Sequence, residues 1–395
     1  MSIRFPKIEQ SVLLLSILKW TFLATTVGII VGASTVFFIK ALNLSLSAKF
    51  LWPYFLPVGI FISALIARFY IKDVEGNGTE HVIESVHKKY GEIHWKTAPA
   101  KFFATIATIA LGGSVGREGP AAQIGSSLSS TFARFLNLSL EDKRKLVICG
   151  ISAAFAAVFG TPVAGAIFGV EVLFLGGLIY DILYPAIVAG VTSFYIASLL
   201  GVQYFHHTIA LEAPQFSDLI FLKFVILAGI FFGLLALLFI ELMKITKRAF
   251  ALINDNLLRA AIGGLILLLL TIPFSTTYLG LGTEQIESAV KGQPQEKGGF
   301  LLKMLFTSIT LASGGSGGVI GPIFFVGASA GSLFAEIFKA NISLFAGIGI
   351  VALLAAATNT PIAAAIMAIE LFGPQIGVFA ALAAFISFII VGHKS

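Results

Sequence analysis

The chain has 395 residues, of which 57% are apolar and only 12% charged, with a formal charge of +6 and a mean hydropathy of +0.96. So much apolar surface cannot be hidden in a water-soluble core, and the bilayer is the solvent for which this sequence is written. A single cysteine, Cys149, excludes an intrachain disulfide and any thiolate metal cluster.

The first twenty residues, MSIRFPKIEQSVLLLSILKW, carry Glu9 ahead of the apolar run and lack a small-residue cleavage site. They predict a retained helix, not a removed signal peptide. Runs with almost no charge follow at 182–205, 260–283, 304–335 and 340–393, the last interrupted only by Glu370. Each reaches the roughly 20 residues that a spanning helix needs. They are continuously apolar, without the two-residue alternation of a membrane barrel, so helices are predicted. The basic clusters Lys88-Lys89, Lys143-Arg144-Lys145 and Lys244 to Arg248 read as loops. No soluble regulatory domain is expected after the last apolar run.

Laid on itself, the chain repeats. GNGTEHVIESV at 76–86 returns as GLGTEQIESAV at 280–290; LGGSVGREGPAAQIG at 111–125 returns as SGGSGGVIGPIFFVG at 313–327; TPVAGAIFGVE at 161–171 returns as TPIAAAIMAIE at 360–370. The blocks keep their order, with shifts of 204, 202 and 199 residues. Two homologous halves are predicted, 1–205 and 206–395. Such halves commonly pack as inverted repeats, with the transported ion held where broken helices from both meet. Here the breaks are the glycine-rich segments 76–80 and 280–284, with 112–120 and 314–322. Proline in a first helical turn loses no needed hydrogen bond, and glycines let the backbone turn sharply into the helix. A helix starting there turns unpaired N–H groups and a positive dipole end into the protein, which suits an anion. Partial charges of this kind replace some of an ion's hydration and still let it leave, whereas a guanidinium in the path would trap it. Arg117 is therefore expected to turn its side chain toward a vestibule or a carboxylate.

GREGP at 116–120, with its repeat mate GGVIGP and the later TPVAGAIFGVE, resembles the CLC family of chloride channels and chloride/proton antiporters, of the prokaryotic type without CBS domains. The resemblance runs from about residue 25 to the C-terminus. It implies an all-α polytopic membrane protein of two inverted repeats with broken helices, a homodimer with one pore per subunit, in the cell (inner) membrane. Chloride or a similar anion, and in the antiporters protons, would be carried, with no cofactor, no metal and no enzymatic activity. Glu118 matches the gating glutamate, a tethered anion that competes for a site made for anions and leaves it when neutralised or displaced. Gly119 follows it in the motif. Val319 and Ile320 fall where backbone N–H groups meet the central ion.

Three positions depart from the family pattern. Asn77, followed by Gly78, replaces the serine whose hydroxyl binds the central ion, which opens the choice of anion to fluoride or nitrate. Its amide can still donate, and its ordinary role would be a helix cap. The tyrosine that closes the inner side has no counterpart, because the last tyrosine is Tyr278. The antiporters' second inner carboxylate is Val172, next to Glu171, which favours passive conduction over antiport. Glu171 is a candidate proton relay as a carboxylate in an apolar stretch. Its repeat mate Glu370 suggests the alternative of a hydrogen bond between helices. Two further function classes are weighed. A membrane enzyme using Glu118 with Glu171 or Glu370 lacks a nucleophile or metal set, and His206-His207 read as loop. A cation-coupled carrier of organic solutes would need more polar groups in the spans.

Overall fold

The computed structural model describes residues 7–47, 54–71, 74–173, 180–209 and 219–392. Among them lie sixteen helices: α1 (Lys7–Leu46), α2 (Leu56–Phe69), α3 (Gly78–Lys88), α4 (Thr97–Ala110), α5 (Glu118–Phe135), α6 (Leu140–Phe159), α7 (Pro162–Glu171), α8 (Tyr180–Leu199), α9 (Leu219–Ala251), α10 (Asn256–Phe274), α11 (Thr283–Val290), α12 (Gly299–Ala312), α13 (Ile320–Phe338), α14 (Ile342–Thr358), α15 (Pro361–Phe372) and α16 (Pro374–Val391). The predicted retained N-terminal helix is α1; residues 1–6 lie outside the described residues.

Six helices are long and apolar enough to cross a membrane: α1, α8, α9, α10, α13 and α16. α5 and α6 match them in length but are more polar, the others are shorter, and the uncharged runs of the sequence resolve into several helices. The run 304–335 breaks between α12 and α13 at Ser313–Val319, and 340–393 divides into α14, α15 and α16. Pro361 and Pro374 restart the chain in the first turn of α15 and α16, where a missing N–H costs nothing. Gly160, in the left-handed conformation with φ 72°, ends α6.

Inside the bilayer there is no hydrophobic drive between helices, so association rests on close packing of small residues. α5 lies on α6 and α13 lies on α14 in this way. A side chain on Gly125 would meet the Gly150 carbonyl at 2.8 Å, and one on Gly327 would meet the Gly349 carbonyl at 2.4 Å. The two contacts sit at corresponding places in the sequence repeat.

Among the described residues a single small sheet ties the site together. β1 (Gly76–Asn77) pairs in parallel with β2 (Ser316–Gly317), Gly76 opposite Ser316, and Gly116 makes an antiparallel bridge to Gly318. Segments distant in sequence are thereby tied together. Buried hydroxyls reinforce the knot: Ser114 N donates to Thr310 Oγ1 at 3.2 Å, and Ser316 N donates to Thr108 Oγ1 at 3.0 Å.

Candidate anion pathway

The predicted breaks 76–80, 114–120 and 316–322 do meet. α3, α5 and α13 all begin at this knot, where their first N–H groups lack intrahelical acceptors. α5 starts at Glu118, with Pro120 inside the first turn, and Glu118 is 6% exposed. Its Oε2 accepts a hydrogen bond from Gly321 N of α13 at 3.1 Å. A carboxylate thus sits on the N-terminal end of a helix, the place the dipole and free N–H groups favour for any anion.

Two cavities open on either side. The larger, about 970 Å³, is lined by Asn77, Thr79, Val172, Val319 and Ile320 among others, with Lys244, Lys247 and Arg259 adding positive charge. The smaller, about 180 Å³, is lined by Arg117, Glu118, Tyr204, Thr283, Gly321 and Phe324 among others. Ile320 faces one and Gly321 the other, so the bond from Gly321 to Glu118 stands at the partition. The two cavities take corresponding helices of the repeat: α3 contributes to the larger and α11 to the smaller. Arg117 lines the smaller cavity, half-buried, beside Glu118 in the chain and with no carboxylate at ion-pair distance among the described residues.

Gly78 and Gly119 line neither cavity. They let α3 and α5 touch, since a side chain on Gly78 would lie 2.7 Å from the Gly119 carbonyl and 2.8 Å from Gln123 Oε1. Asn77 lines the larger cavity, but its side chain is turned to the helix it precedes. Asn77 Oδ1 accepts from Thr79 N at 3.3 Å and Nδ2 donates to Glu80 Oε1 at 3.4 Å, which is capping geometry.

Glu171 lines neither cavity; the cavity residue at that corner is Val172. Its carboxylate accepts from Ile362 N at 3.0 Å and Ala363 N at 2.8 Å, capping α15. Glu370 returns the favour to α7, accepting from Val163 N at 3.0 Å and Ala164 N at 2.8 Å. The two helices therefore exchange caps, which accounts for a glutamate in both copies. Glu171→Gln or Glu370→Gln is expected to cost about 1–2 kcal/mol, the worth of a cap or a charge-assisted bond. It would show as a lower midpoint of thermal unfolding in detergent, with halide flux retained. Unchanged stability with lost proton movement would instead make Glu171 a relay.

Two functional-looking residues escaped the motif reading. Lys101 of α4 and Lys303 of α12 are fully buried. Lys101 Nζ donates to the Val74 and Gly76 carbonyls at 3.0 and 2.9 Å, and Lys303 Nζ to the Tyr278 and Gly280 carbonyls at 3.1 and 2.8 Å. Each holds the loop that leads into a broken helix, and neither has a carboxylate at salt-bridge distance among the described residues. Their signal was the shift of 202 residues that separates them, the same as that of the GREGP block.

Helices from both halves of the repeat that begin at one knot, with a buried glutamate beside two cavities, define the class: a multi-pass membrane protein of the anion-transporting kind. The family profile "Voltage gated chloride channel" matches residues 58–392, and the chain belongs to that family. It is 35% identical to the chloride/fluoride channel protein of Pseudomonas syringae pv. tomato, over 99% of this chain and 88% of the relative. It is 27% identical to the voltage-gated ClC-type chloride channel ClcB of Escherichia coli, over 90% and 85%. Among solved structures, a CLC-type fluoride/proton antiporter superposes with a TM-score of 0.88 at 28% identity, covering 94% of both chains. A slow cyanobacterial Cl−/H+ antiporter shares the fold at 0.79 and 21%, covering 94% of both chains.

Proposed function

We propose that this chain carries small halides, fluoride first among them, across the cell (inner) membrane as a homodimer, with Glu118 as the gate of each pore. The observation that supports the gate is the hydrogen bond from Gly321 N to the Glu118 carboxylate at the partition of the two cavities. That carboxylate occupies a seat that suits a halide equally well, so the two compete. Residues 1–205 and 206–395 act as the two inverted halves, and Asn77, Gly78, Gly119, Val319 and Ile320 shape the seat from both. Fluoride is chosen because a relative and a structural neighbour above 25% identity are both described by it.

Val172 lines the larger cavity at the position that matches the antiporters' second inner carboxylate, which favours passive conduction, although Glu75 and Glu80 line the same cavity. Proton-coupled exchange is a second reading, favoured by the closed position of Glu118: a pathway shut by one titratable side chain opens only when that side chain moves. Proteoliposomes loaded with fluoride or chloride test both. The expected result is halide efflux above that of protein-free vesicles, and its absence sinks the proposal. If a halide gradient drives protons uphill, exchange replaces conduction; if efflux requires a potassium ionophore and leaves external pH unmoved, conduction stands.

A further inference from the structure

The side chain that would greet an anion in the larger cavity is not the one the motif designates. Asn77 aligns with the ion-binding position, yet its carbonyl oxygen caps α3 and its amide points to Glu80. Two residues on, Thr79 is 6% exposed and lines the larger cavity. Its Oγ1 is buried and has no hydrogen-bond partner. Buried polar groups are nearly always paired, so an unpartnered hydroxyl on a cavity-lining residue invites a ligand. Other buried hydroxyls also lack a partner, namely Thr35, Thr97, Ser126, Thr161 and Ser387. None of these lines either cavity. Among the described residues, Thr79 carries the one unpartnered buried hydroxyl whose residue lines a cavity, and Arg259, whose Nε is also unpartnered, lines the same cavity.

Its position fits an ion seat. A side chain built on Gly119 would fall 3.2 Å from Thr79 Oγ1 and 3.0 Å from Gly318 Cα, so the hydroxyl stands where α3, α5 and the β2 segment cross, one residue from the Glu118 gate. α3 runs for 11 residues, and its N-terminal end supplies partial positive charge to the same spot. A hydroxyl has one donor hydrogen, free to rotate toward an acceptor.

We propose that the Thr79 hydroxyl is the side-chain hydrogen-bond donor to the transported anion in the larger cavity, and that it favours fluoride over chloride. Hydrogen bonds to a charged acceptor are shorter and stronger than neutral ones. A small anion with concentrated charge gains more from one such donor than a large, diffuse one does. Asn77 then serves by fixing the turn that presents Thr79. This inference rests on the proposed anion transport and adds the donor and the preference.

The test is calorimetric titration of sodium fluoride and sodium chloride into the purified full-length protein, paired with halide efflux from proteoliposomes. Thr79→Val keeps the shape and removes the donor, Thr79→Ser keeps the donor, and Thr97→Val removes an orphan hydroxyl that faces no cavity. Fluoride affinity is expected to fall about tenfold or more in Thr79→Val, the scale of a hydrogen bond to a charged group, and chloride affinity less. Thr79→Ser should stay within about threefold of the original and Thr97→Val should match it, because both keep the donor. If valine prevents assembly, judged by size exclusion, Thr79→Ala replaces it in the same comparison. Equal fluoride affinity in the valine and original proteins overturns the inference, as does a serine variant that falls as far as valine. A preference left unchanged while both halides weaken equally overturns the selectivity. Absence of halide efflux from the original protein removes the functional proposal itself, and the inference with it.

Discussion

Chloride efflux through Glu118→Gln protein is expected to persist and to become insensitive to pH. In the native chain the carboxylate holds the Gly321 N–H, and an arriving anion has to displace it. A charge at a partly buried helix N-terminus is stabilised by up to about 2 kcal/mol, which glutamine forfeits. Release of that competitor corresponds to a gain of up to roughly thirtyfold in access to the seat. Glutamine has nearly the same volume, so the partition keeps its shape while its titratable group is gone. Stopped efflux from a correctly assembled Glu118→Gln protein would show that the carboxylate is needed for passage itself, and the gate assignment would fail. Efflux that still varied with pH would place the pH sensor elsewhere.

Hydropathy exposed the solvent but not the architecture. It reads average transfer energy over a window, and a helix interrupted at Ser313–Val319 is as apolar as one that continues. The interruptions became visible only through the internal repeat, because glycines recurring at a fixed shift report backbone demands that hydropathy ignores. That is why the three segments could be expected to converge and did. The short helices α7 and α15 were also predictable from their Thr-Pro starts, but their mutual capping depends on how two distant helices face each other. Sequence could say that Glu171 and Glu370 correspond; only packing could say that each ends on the other's N-terminus.

The site shows a similar division. Glu118 is specified by its local frame of glycine and proline, so it was legible. Asn77 and Thr79 were not separable, because a side chain's choice between capping its own helix and facing a cavity is settled by a rotamer. The Asn77 amide oxygen takes the backbone N–H of Thr79, a habit of asparagine, while the Thr79 hydroxyl is left without a partner. Lys101 and Lys303 were overlooked because lone lysines in apolar helices suggest loops or ends. Their buried amines are tolerated here because each donates to two carbonyls of a loop whose turn is made by a glycine in the left-handed region, Gly76 at φ 69° and Gly280 at φ 59°.

Gly116→Ala is expected to abolish halide efflux, the opposite of what Glu118→Gln does. Gly116 does not have a positive φ, so its backbone tolerates alanine, and the whole effect is steric. A methyl there would lie 2.2 Å from Glu118 Oε2 and 2.8 Å from Gly321 N. The carboxylate can swing away from that clash, but the backbone nitrogen is held in α13 and cannot. The methyl therefore evicts the gate and at the same time covers the N–H that the anion would use. Loss of one buried charge-assisted hydrogen bond, about 1.5–3 kcal/mol, corresponds to a drop in occupancy of roughly tenfold to a hundredfold. Combining Gly116→Ala with Glu118→Gln separates the two consequences. If the gate alone mattered, the double variant would pass chloride as the glutamine variant does; if the Gly321 N–H belongs to the seat, the double variant stays silent. Efflux from Gly116→Ala protein equal to that of the original chain would mean that the anion passes without using this nitrogen, and the partition between the two cavities would have to be crossed elsewhere.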